Sequence, residues 1–128
     1  MLLNVQTSPG EFLDKVTILE IKSERMTDPA KLANVNHELA LLRATWNASP
    51  LAGRDVSALV AQLKQVNEAL WEIEDGIRDK EAAKAFDAGF IELARSVYVT
   101  NDRRAAIKRE LNVILGSEIL EEKSYKKY

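Results

Sequence analysis

The chain has no cysteine and only one histidine among its 128 residues. Without cysteine there are no disulfide frameworks, thiolate metal sites or thiol nucleophiles. A lone His37 excludes any centre that needs two imidazoles. No apolar run approaches the roughly 18–20 residues that a membrane-crossing helix needs. The segment Met1–Gln6 lacks the basic residues and the apolar length of a signal peptide, so a cytoplasmic protein is expected. An excess of charge is missing too. The 18 basic and 20 acidic residues give a net −2, which favours neither nucleic acid nor an anionic membrane as partner.

What is present is the composition of a folded domain: 46% hydrophobic and 30% charged residues, apolar enough to build a core. A chain of this length buries roughly two-thirds of its unfolded surface, so residues 1–128 are read as one domain.

The few prolines and glycines punctuate the sequence. Ser8-Pro9-Gly10-Glu11 combines an N-cap, a proline at the first helical position and a capping-box glutamate. It predicts a helix over about 9–26 with Phe12, Val16, Leu19 and Met26 on one face. Asp28-Pro29 restarts the chain, and Leu32, Val35, Leu39, Leu42 and Trp46 then recur at steps of three and four over 29–48. After the turn Ser49–Gly53, Asp55 is expected to cap a helix over 56–80 whose seam is Val56, Leu59, Leu63, Val66, Leu70, Ile73 and Ile77. Asp87 opens a last helix over 88–115, with Phe90, Leu93, Val97, Ile107, Leu111 and Leu115 inside and Gly116 as its stop. No stretch alternates with period two, so no strand is expected. Short connections make successive helices antiparallel, which gives an all-α, up-down-up-down bundle of four long helices. The charged segment 117–128 is expected to be a mobile tail unless it docks.

Polar residues interrupt these seams. Asn101, Arg104 and Lys108 share a face with Val97 and Leu111. Asn67 and Glu74 flank the third seam, Asn36 and Arg43 the second, and Glu20 the edge of the first. Each residue rises about 1.5 Å along a helix, so folding the helices back at the turns brings Glu20, Asn36, Asn67 and Asn101 near one level and Arg43 and Arg104, with Lys108 further along, near the next. The result is a polar layer fed from all four helices.

Two readings of that layer stand side by side. In the first it is a structural network, with Glu20 and Glu74 neutralising Arg104 and Arg43, because buried charges must find partners. In the second it is an open slot that grips a small anionic or hydroxyl-rich ligand. Glu72 and Asp75 together with Glu20 or Glu24 are the only acidic pairs placed to share Mg²⁺. Such pairs are ordinarily solvated, so no cofactor or metal is expected. His37 is read as a surface residue and Trp71 as core packing.

Several strings also carry a resemblance. Ser8–Lys22, Lys31–Val35, Asn67–Asp75, Phe90–Arg104 and Glu121–Tyr125 resemble a small bacterial family known only as a domain of unknown function, across nearly the whole chain. A second uncharacterised helical family has a similar Asn-x-x-Leu-Trp-x-x-Glu-Asp string, here Asn67 to Asp75, and a later Asn-x-x-Arg, here Asn101 and Arg104. The resemblance implies a bacterial protein and supplies no chemistry.

The sequence therefore points first to a non-catalytic binding or accessory protein. The alternative is a small helical enzyme. One form uses Arg43, Arg104 and Lys108 against a dicarboxylate, as in a chorismate-mutase-like site. The other uses acidic pairs around Mg²⁺, as in a nucleotide pyrophosphatase. Ile18, Ile21 and Leu41, pointing away from the first two seams, predict a patch that a homodimer would cover, unless the segment Leu2–Val5 or the tail around Ile119-Leu120 folds over it.

Overall fold

A computed structural model describes all residues, 1–128. It contains four helices and no strand: α1 (Pro9–Arg25), α2 (Pro29–Asn47), α3 (Ser57–Ala82) and α4 (Ala88–Ile114). They pack as a bundle. No helix is long and apolar enough to cross a membrane.

The helix starts follow local chemistry. The first turn of a helix leaves N–H groups without intrahelical acceptors. Ser8 accepts from the Glu11 N–H, Asp28 from Ala30 and Lys31, and Asp87 from Phe90. Asp55 sits one position further out than expected. Val56 occupies the N-cap of α3, and Asp55 instead holds the Ser57 N–H at 3.2 Å and its hydroxyl at 2.8 Å.

Two helices end in Schellman turns. After α4, Ser117 N–H reaches the Asn112 carbonyl at 2.8 Å while Gly116 takes the left-handed φ of 67°. After α3 the same turn places Lys84 at φ 53°, with Ala85 N–H on the Lys80 carbonyl at 2.9 Å. A lysine in that conformation carries the strain that glycine avoids.

The four helices do not close into a symmetrical ring. α1 packs against α2, α3 and α4, α3 packs against α4, and α2 meets α1 alone. The reason is that α1 has two apolar faces. Val16 and Leu19 join Val35 and Leu39, with Phe12, Met26 and Leu42 around them. On the other side, Leu13 joins Leu63, Val66, Ile107, Leu111 and Leu115 in the larger core. Leu63 and Leu111 are fully buried, and each such side chain contributes about 2–3 kcal/mol through the hydrophobic effect.

This arrangement removes the basis for the expected dimer patch. Ile21 is only 2% exposed, covered within the same chain. Ile18 is half-buried beside it, and Leu41 alone is exposed. Helical periodicity located a second apolar face on α1, and α3 and α4 occupy it.

The tail 117–128 forms no helix and lies along α4. Glu121 meets Lys108 at 3.3 Å and Glu122 meets Arg109 at 3.3 Å. The Tyr128 hydroxyl donates to Asp102 at 2.5 Å, with its ring 4.9 Å from that of Tyr98.

Candidate functional site

The second face of α1 also carries a charge into the interior. Asp14 is 2% exposed and follows directly on Leu13. Its Oδ1 accepts from the Asn67 amide on α3 at 2.9 Å and from Arg104 Nε on α4 at 2.9 Å. Its Oδ2 accepts from Arg104 Nη2, completing a two-pronged pair. The Asn67 amide nitrogen also donates to the Thr17 hydroxyl at 3.0 Å, and that hydroxyl donates to the Asp14 carbonyl at 2.8 Å. Three helices are thus tied through one buried carboxylate. The bond to Asp14 outweighs desolvation and raises the Arg104 pKa, so the guanidinium is held charged.

One turn along α4, Lys108 donates to Glu11 at 2.6 Å and to Glu121 at 3.3 Å. Burial works against its ammonium, but the Glu11 bond and the charges of Asp14 and Glu11 prevail, and its pKa lies above the ordinary lysine value. Beyond it, the Gly10 N–H donates to Asn112 Oδ1 at 2.7 Å. A side chain at position 10 would meet the Lys108 carbonyl at 2.5 Å, so glycine lets α1 approach α4 this closely. Glu11, expected to fold back onto Ser8 in a capping box, is drawn off by Lys108.

The eight predicted polar residues therefore separate. Asn67, Glu74, Asn101 and Arg104 line one cleft. Lys108 lies on the tail side of α4, in a smaller cavity with Asn112 and Glu121. Glu20 pairs with Arg43 at 3.3 Å on the surface. Asn36 and Arg43 are exposed on α2. Polar groups from all four helices do not converge, because α2 packs on α1 and never faces α3 or α4. The expectation that Glu20 or Glu74 neutralises Arg104 also fails: the partner is Asp14, and Glu74 pairs along its own helix with Arg78 at 3.0 Å. The acidic pairs considered for Mg²⁺ are committed elsewhere, Glu24 to Lys64 and Glu72 to Arg25.

The cleft has a volume of about 430 Å³ and lies between α1, α3 and α4, within the ~300–1,000 Å³ typical of ligand sites. Ile18, Ile21, Leu70, Val97 and Trp71 form its apolar walls. The Asn67 nitrogen is spent on Asp14 and Thr17, while its Oδ1 takes no hydrogen bond from the protein. No side-chain polar atom is both buried and unpartnered, so that oxygen must reach the cleft surface, although Asn67 is only 6% exposed. The Asn101 amide and Arg104 Nη1 likewise meet no protein partner. Trp71, expected as core, is half-buried at the cleft with the Arg25 guanidinium 5.9 Å from its ring.

Sequence reasoning missed Asp14, Thr17, Glu11 and Asn112. A signal for the first two was present. Leu13, Thr17 and Ile21 form an i, i+4 row on α1, and Asp14 and Ile18 run beside it. A helix with two apolar rows is a central helix, and a carboxylate on its second row is interior.

The chain thus defines a class by its geometry: an all-α bundle in which a buried carboxylate–guanidinium pair floors a cleft between three helices. It belongs to a family of unknown function, DUF6165, whose model matches residues 3–128. No curated protein and no solved structure matches it.

Proposed function

We propose that this chain is a non-catalytic binding protein whose cleft between α1, α3 and α4 takes a small hydroxyl-rich ligand. One observation carries the reading. The Asn67 Oδ1, the Asn101 amide and the Arg104 Nη1, none satisfied by the protein, converge on apolar walls that include an indole. Hydroxyl groups both donate and accept, which suits a mixture of amide oxygen, amide nitrogen and guanidinium N–H. The C–H faces of a sugar or cyclic polyol suit the Trp71 ring and the aliphatic walls.

Of the two ligand chemistries expected, the hydroxyl-rich one is favoured over the anionic one. Arg104 is the only base lining the cleft, and Asp14 already neutralises it, while Glu74 and Asp75 stand at the rim. The same accounting weakens the enzyme alternatives. Arg104 and Lys108 are engaged by carboxylates and Arg43 lies on the surface, which leaves no pair of free cations for a dicarboxylate.

Fluorescence tests the proposal. Trp46 stacks on Phe12 at 6.0 Å, outside the cleft, so Trp46→Phe leaves Trp71 as the sole reporter. Glucose, galactose, mannose and myo-inositol at millimolar concentration are expected to shift its emission, and Asn101→Ala to abolish the shift. A response to inorganic phosphate and succinate alone, or to none of these compounds, would overturn the reading.

A further inference from the structure

The cleft is electrically lopsided. Arg104 is matched by Asp14 and Arg78 by Glu74. Arg25, lying over Trp71, is shared by Glu72 and Glu68. Asp75 lines the cleft beside Trp71 and Glu74, and no basic side chain lies within ion-pair distance of it. Of the ionised groups that line the cleft, Glu74 and Asp75 stand against Arg104, and with Arg104 and Glu74 paired, Asp75 is the charge left over. A low-dielectric cleft rimmed by an excess of one sign concentrates ligands of the other. A cation next to an indole also gains from the ring quadrupole, as Arg25 does at 5.9 Å from the Trp71 ring.

Building on the reading above, we infer that the preferred ligand is a hydroxyl-rich molecule bearing a protonated amine, such as an amino sugar. Its ammonium sits on Asp75 beside Trp71, and its hydroxyl groups reach Asn67 Oδ1, the Asn101 amide and Arg104 Nη1 at the other end. The pointer to a ligand at this site is the Asn67 oxygen, on a residue more than nine-tenths buried, which meets no protein donor and belongs to the cleft lining.

Calorimetric titration of the intact chain with glucosamine against glucose, galactosamine against galactose and mannosamine against mannose tests this. The titrations belong at mildly acidic pH and low salt, where the amines are protonated. At least one amino sugar is expected to bind about fivefold more tightly than its neutral partner, the ratio expected for one partly exposed ion pair. Asp75→Asn, an exposed and isosteric change, is expected to erase that ratio. Equal affinities within every pair would overturn the amine assignment and leave the hydroxyl-rich reading standing. A preference that survives Asp75→Asn would overturn the assignment to Asp75. Failure of all six sugars to bind would overturn both the reading and the inference that rests on it.

Discussion

Arg104→Ala strips the buried Asp14 carboxylate of its counter-charge. In the wild type that carboxylate is 2% exposed and receives one hydrogen bond from Asn67 and two from Arg104. The variant leaves it the Asn67 amide alone. Breaking a buried pair by removing one partner costs about 3–5 kcal/mol. The Arg104 side chain is itself 28% exposed, so water can enter the space it leaves, and the lower end, about 3 kcal/mol, is expected. For a domain of this size that corresponds to a fall in melting temperature of roughly 12 °C.

Urea unfolding followed by helical circular dichroism reads the loss directly. Adding Asp14→Asn to Arg104→Ala removes the stranded charge and is expected to recover about half of it, so the double-mutant cycle shows a coupling of about 1.5 kcal/mol plus whatever Asp14→Asn costs alone. An Arg104→Ala loss of 1 kcal/mol or less would refute the reasoning, since that is the behaviour of an exposed pair.

Other perturbations separate the molecule's parts. Gly10→Ala replaces glycine with a better helix former, yet drives a Cβ against the Lys108 carbonyl at 2.5 Å; urea unfolding should show about 1–3 kcal/mol of destabilisation. Lys84→Gly relieves the left-handed turn after α3 and is expected to gain about 0.5–1 kcal/mol in the same assay. Arg43→Ala breaks only the exposed pair with Glu20 and should cost less than about 1 kcal/mol.

Acidification should free the tail before it unfolds the bundle. The bond from Lys108 holds the Glu121 pKa below its ordinary 4.5. The stability it contributes is therefore present above that value and is lost as pH falls through the lower, folded-state pKa. NMR signals of 118–128 should sharpen and move to random-coil positions in that range while the α4 amides stay protected from exchange.

The outline of the fold was legible because its signals are local. Ser8-Pro9, Asp28-Pro29 and Asp87 each hold a first-turn N–H, and Gly116 supplies the positive φ. These fix helix ends with no reference to the rest of the chain. The lysine turn at Lys84 was illegible for the same reason, since nothing in its own chemistry favours that conformation.

Which helix is central was not legible, because it depends on how faces are shared. A single seam on α1, read from Phe12, Val16 and Leu19, made Ile18 and Ile21 look like surface and hid Asp14 altogether. Asn67, Glu74, Asn101 and Arg104 were placed near the cleft because the contact between α3 and α4 follows their seams, whereas Lys108 turns to the tail side. Asn36 and Arg43 were misplaced because height along a bundle says nothing about which helices share an interface. A register locates levels, and packing decides neighbours.

The central claim is that Asn67, Trp71, Asn101 and Arg104 form one ligand surface. Nitrogen-detected NMR of the intact chain, titrated with glucosamine and glucose, tests it most directly. Chemical-shift changes are expected in the side-chain N–H signals of Asn67, Trp71, Asn101 and Arg104, with those of Asn36, Arg43 and Trp46 unmoved. Changes centred on α2 or the tail, with the cleft signals silent, would contradict it.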